Sequence, residues 1–175
     1  MEKLVNPELI VLRVIHIVGG VIWAGTAMFV SYFLLPAMGM AGPAGAPVMG
    51  ALVKRRLFVI VPTIGVITML AGLRLLWLAS NGFSAEYLAS RTGITYVTGA
   101  VCALLAFTTF LVINHPAIGR MGALQQQLAQ TAEADRGPIM AEMGVVRQRA
   151  ATGTRITALL LLVTVLAMAI GRYVS

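Results

Sequence analysis

Acid is what this chain has least of. Six of its 175 residues are Asp or Glu, and the long apolar segments contain none of them. Proton pumps move protons through carboxylates at membrane depth, so that class is disfavoured from the start. Cysteine is nearly absent too. Cys102 stands alone, which excludes an internal disulfide, a CxxC pair and a CxxCH attachment for covalent haem. Inside an apolar segment it reads as a small packing residue. No Walker loop, dinucleotide fingerprint, metalloprotease helix or catalytic triad is found. Nothing between the apolar segments is long enough to form a separate soluble domain.

Apolar residues supply the rest. They make up 59% of the chain against 11% charged, and the mean hydropathy is +0.90. A membrane-crossing helix needs roughly 20 mostly apolar residues. Four segments qualify, at about 9–35, 57–79, 93–114 and 156–171. The expectation is an all-α fold: one domain over residues 1–175, an integral membrane four-helix bundle. The first apolar run is far longer than a signal-peptide core of roughly 7–15 residues, and its positive flank is weak, so it reads as a span.

The net charge of +7 does not indicate nucleic acid, because its distribution follows the membrane. Lys54, Arg55, Arg56, Arg120, Arg136, Arg147, Arg149 and Arg155 fall on one side of the spans. Lys3, Arg91 and Arg172, with Arg13 and Arg74 dipping in, fall on the other. The richer side is expected in the cytoplasm, which puts both termini outside, as in a bacterial inner membrane. Trp77, Tyr87, Tyr96 and Tyr173 form an aromatic belt at the outer boundary.

Local signals refine the elements. Asn6-Pro7-Glu8 is a helix start, and Ser80-Asn81-Gly82 a helix stop. Residues 36–47, rich in Gly, Pro and Ala, read as a loop after a first helix ending near Leu35. Pro62 predicts a kink in the second helix. Ile118, Met121, Leu124 and Leu128 recur at helical spacing, as do Ile139, Met140, Met143 and Val146. Residues 117–155 therefore predict a cytoplasmic hairpin extending helices three and four, with its turn at Asp135-Arg136-Gly137-Pro138. The competing arrangement lays both arms flat on the lipid surface.

Three ionisable groups lie inside the apolar runs. Arg13, His16, Gly20 and Trp23 share one face of the first helix, and Arg74 lies near the end of the second. At about 1.5 Å per residue, Arg13, Arg74 and His16 lie about 6, 7–8 and 10 Å below the outer boundary, level with Thr95 and Thr98. Glu8 and Glu86 are expected at or above the surface. Cations without an acid beside them point to an anionic guest such as a carboxylate or phosphate. Haem b offers two propionates and an iron that accepts a neutral imidazole. The plainer alternatives are arginines reaching up to headgroups, packing glycines and a hydrogen-bonded histidine. His115 lies roughly 20 Å deeper than His16, so one haem cannot join them. Met168 or Met69 is a weak candidate for a sixth ligand, and His115 is expected to be structural. Met38, Met40 and Met49 suit Cu(I) but fall on the cytoplasmic side.

The pattern His16-x3-Gly20-x2-Trp23-x-Gly25, followed by Phe29 and Leu34-Leu35-Pro36, resembles the first helix of a loose group of small bacterial membrane proteins. That group includes the copper-resistance D type and the HemJ-type protoporphyrinogen oxidases. The Gly/Pro-rich loop, Lys54-Arg55-Arg56 and Gly72-Leu73 resemble its uncharacterised relatives more closely. The resemblance covers the first half best. It implies a haem b held by His16. The oxidases would also carry a basic residue in the third helix, which this chain lacks, and the copper importers would carry outer Met/His sites that are missing here. The expected function is binding of one b-type haem in the outer leaflet by His16, Arg13, Arg74, Trp23, Gly20 and Thr98, for electron transfer or haem handling with a membrane redox partner. The alternatives are an accessory subunit docking a partner through the hairpin, alone or as an oligomer, and a metal or small-solute transporter.

Overall fold

A computed structural model describes residues 6–174 and shows helix almost throughout, with no strand among the described residues. Four helices are long and apolar enough to cross a membrane. They are α1 (Pro7–Ala41), α3 (Leu57–Ala79), α5 (Arg91–Gln130) and the helix that includes α6 (Gly137–Ile170). Short helices α2 (Ala46–Lys54) and α4 (Ala85–Ala89) fill two of the connections. This is the architecture that a multi-pass membrane protein requires, because hydrocarbon offers the backbone no partner outside the helix.

The helix ends follow the local chemistry. Asn6 Oδ1 accepts from Glu8 N at 3.0 Å, with Pro7 in the first turn. After α3, Ser80 Oγ accepts from Phe83 N and Gly82 takes φ +85°. Gln130 ends α5, and Glu133–Asp135 makes one tight turn before α6.

Two expectations are corrected at the prolines. The first helix does not stop before Pro36; α1 continues to Ala41. Residues 36–47 are not an open loop: a 3₁₀ turn at Gly42–Gly45 leads straight into α2. The cause is a π turn. Val30–Leu34 is wound one residue wider than an α-helix, and Pro36 follows it; Phe110–Asn114 does the same before Pro116 in α5. A proline removes one N–H and crowds the turn before it, and a wider turn absorbs that misfit without ending the helix. Arg55 and Arg56 separate α2 from α3, with Arg56 left-handed at φ 57°.

α1 packs most heavily on α3, and α5 on α6; α6 also meets α1, and α3 touches α5 less extensively. The shared core contains Trp23, Ala24, Ala103, Ala106 and Leu161, with Met28, Met69 and Phe107 against it. Its residues are mostly small because close helix approach replaces hydrophobic burial as the source of adhesion in lipid. Large apolar side chains such as Ile17, Val21, Leu70 and Leu104 face outward. Beyond Asn114, α5 stays packed on α6. Leu124 and Ile139 are buried there, and Arg120 pairs with Glu142.

At Gly65 an added Cβ would meet the Trp23 ring at 2.9 Å, whereas at Gly25 nothing lies within 4 Å. Gly65→Ala should therefore cost roughly 1–3 kcal/mol of stability through overpacking. Gly25→Ala should be neutral or stabilising by up to about 1 kcal/mol, since Ala favours helix. Thermal unfolding in detergent measures both; equal destabilisation at the two sites would contradict this packing.

Candidate functional site

The site is built on the contact between α1 and α3. His16, Gly19 and Trp23 on α1 meet Gly72, Thr68 and Gly65 on α3 in antiparallel order. His16 Nδ1 lies 2.8 Å from the Thr68 carbonyl oxygen. That oxygen only accepts, so Nδ1 carries the proton and donates. The carbonyl sits in the middle of a helix and already serves the helix ladder, but its second lone pair is open. Gly72 explains why it can be reached. A helical side chain covers the turn on its N-terminal side, and a Cβ on Gly72 would meet His16 Cε1 at 2.6 Å and Nδ1 at 2.9 Å. The missing side chain is the slot that the imidazole occupies.

The other ring nitrogen is left over. His16 is half-buried, and its Nε2 has no hydrogen-bond partner among the described residues. Nor is it sealed in: among the described residues the buried, unpartnered side-chain polar atoms are Ser31 Oγ, Thr68 Oγ1 and Asn114 Oδ1. An imidazole tethered through Nδ1–H to a carbonyl, with Nε2 bare, is the arrangement by which proteins orient a metal-ligating histidine.

The remaining sequence candidates are placed as follows. Arg13 is exposed and has no ion-pair partner among the described residues. Arg74 does have one: its Nε lies 2.7 Å from Glu8 Oε1. The expectation that no acid reaches the guanidiniums is corrected here, because Glu8 in the first turn of α1 lies beside the last turns of α3. Trp23 is a core residue, 6% exposed, edge-on to Phe107 with ring centroids 6.2 Å apart. Gly20 packs against the Thr68 methyl, and Gly19 against Thr68 Oγ1. These glycines bring the helices together: α3 fills the place that a side chain at Gly19 would take, while an open apolar groove of about 310 Å³ lined by Val14, Val18, Gly19, Ile22, Ile64 and Ile67 runs beside it. Thr98 is exposed and gives its proton to Ile94 O. Met168 lies over Gly99 and Met69 against the core. No group of three or more His, Cys, Asp or Glu side chains is gathered among the described residues.

On α3, sequence reading named Arg74 but not the surface that His16, Gly19 and Trp23 meet. Gly65, Thr68 and Gly72 recur at helical spacing, a signal that is visible in the sequence but is not distinguishable there from ordinary small-residue packing. His115 is exposed against Phe110. Its neighbour Asn114 is the buried one, donating to Ala150 O and Thr154 Oγ1 at 3.1 and 2.7 Å. At the aromatic end, burial raises the Tyr87 phenol above its ordinary pKa, and Tyr96 adds to the shift.

Comparison with protein-family models, curated proteins and solved structures yields no match.

The Glu8–Arg74 pair is nearly half exposed on both sides, so its coupling should be small. A double-mutant cycle with Glu8→Gln and Arg74→Gln is expected to give about 0.2–1 kcal/mol, decreasing as salt is added. Zero coupling at low salt would show that the two helix ends do not meet through this pair.

Proposed function

We propose that this chain is an inner-membrane four-helix bundle, both termini outside, that binds one b-type haem in its outer half through His16, for electron transfer or haem handling. The observation that carries the reading is the His16 imidazole, held through Nδ1–H on the Thr68 carbonyl with Nε2 bare. In a water-free span such a nitrogen is an unused ligand, and iron takes a neutral imidazole through that atom. The resemblance of the first helix to haem-binding membrane proteins points the same way.

Each residue has a distinct task in this reading. Thr68 O fixes the ring plane and the tautomer. Gly72 gives the ring its place. Arg13, one turn nearer the outer surface, offers a guanidinium to a carboxylate of the guest. Arg74 is shared with Glu8, which ties the outer ends of α1 and α3 and leaves Arg74 the weaker of the two anchors. Haem, when bound, supplies a one-electron iron couple.

A second reading has an observation of its own. Met140 and Val145 remain 62% and 66% exposed on the part of α6 that lies beyond its most apolar stretch. If the paired arms of α5 and α6 stand in the cytoplasm, those side chains are uncovered, and an accessory subunit would dock its partner there.

Absorption spectroscopy in mild detergent separates the two. The haem reading predicts a Soret band that disappears in His16→Ala and survives in His115→Ala. Protein that stays colourless after haem is supplied during expression would remove the haem reading. For the arms, proteolysis of inside-out vesicles should cut near Arg136; resistance there without any partner present would count against an exposed cytoplasmic tip.

A further inference from the structure

The paired arms enclose a cleft at their root. Ile113, Pro116, Ala117 and Arg120 of α5 face Val146 and Arg149 of α6 across it. Its volume is about 150 Å³. Pockets for drug-sized organic ligands begin at roughly 300 Å³, so this cleft is sized for a small headgroup rather than a nucleotide or a haem. Four apolar side chains form part of its wall, and two guanidiniums complete it.

The charges in the cleft are unequal. Arg120 is engaged by Glu142, with Nε and Nη2 at 2.7 and 2.5 Å from the same carboxylate oxygen. Arg149 has no ion-pair partner among the described residues. Two guanidiniums and one carboxylate leave a net charge of +1, which attracts a phosphodiester and disfavours a headgroup that also carries a quaternary ammonium. The position matters as much as the charge. Ile113 belongs to the π turn that closes the apolar stretch of α5; Arg120 lies past it on α5, and Arg149 lies on α6 one turn before Gly153, which meets Ile113. A phosphate at this level would have acyl chains on one side and water on the other.

We propose that this cleft holds the phosphodiester headgroup of an anionic phospholipid, with Arg149 as the principal anion ligand and Arg120 as the second. Basic pockets between helices at the cytoplasmic boundary are suited to such headgroups, and guanidinium is the side chain that grips phosphate oxygens in pairs. Ile113, Pro116, Ala117 and Val146 line the path of the glycerol and upper acyl chain. That apolar wall distinguishes a lipid from free phosphate, which has nothing to place against it. Bound there, the lipid would bridge α5 and α6 where the arms leave the membrane. The inference is independent of haem.

Native mass spectrometry of the full chain, equilibrated with phosphatidylglycerol and phosphatidylcholine in equal amounts, reads the occupancy. One phosphatidylglycerol is expected to be retained in preference to phosphatidylcholine. Arg149→Gln should weaken that retention about tenfold, the worth of one charge-assisted hydrogen bond. Arg147→Gln, two residues away and outside the cleft, should leave it unchanged. Circular dichroism confirms that each variant is folded before it is compared. Equal losses in the two variants would mean diffuse surface charge and overturn the site. Displacement of the lipid by an equal concentration of inorganic phosphate would overturn the lipid assignment.

Discussion

The Nδ1–H of an imidazole on an apolar helix has to find its acceptor on a neighbouring helix, and the contact between α1 and α3 can be traced from how His16 does so. An unpaired polar group in hydrocarbon costs several kcal/mol. A helix offers few acceptors on its flank, because each carbonyl is committed to the ladder and roofed by the side chain one turn on. The carbonyl of Thr68 is reachable because residue 72 is glycine. That requirement brings α1 against α3, sets Trp23 on Gly65 two turns deeper, and fixes which ring nitrogen is left for chemistry.

A second constraint operates where α1 and α5 leave their apolar stretches. Each helix has to continue past a proline, and each does so through a five-residue π turn, Val30–Leu34 and Phe110–Asn114. Both turns carry a buried polar side chain, Ser31 and Asn114, and both lean on α6. Asn114 donates twice to α6. At Gly153 an added Cβ would meet Ile113 and Asn114 at 2.6 and 2.7 Å. The turns therefore do more than tolerate proline: they press α5 onto α6 at the level from which the arms continue.

Much of this was legible from residue type alone, because it depends on local rules. The four apolar helices, the Asn6 cap, the stop at Gly82 and the apolar stripe of residues 118–128 follow from chemistry between near neighbours. What escaped was whatever pairs distant positions. Glu8 and Arg74 are 66 residues apart, and a surface acid gives no sign of which cation it will meet. Pro36 reads as a helix end unless the wider turn before it is known. Gly20 read as a candidate for the guest's site, yet a glycine in lipid admits a neighbouring helix as readily as a ligand, and here both Gly19 and Gly20 lie against Thr68 of α3. The face of α1 bearing His16 was visible; the acceptor on α3 was not.

The most direct measurement is the protonation pattern of the His16 ring. Nitrogen-15 NMR of histidine-labelled protein in lipid nanodiscs, with His115→Gln removing the other imidazole, distinguishes the two neutral tautomers by their shifts. The account predicts a proton on Nδ1 and a bare Nε2. A proton resident on Nε2 would mean that Thr68 does not hold the ring, and the ligand geometry proposed for His16 would fall with it.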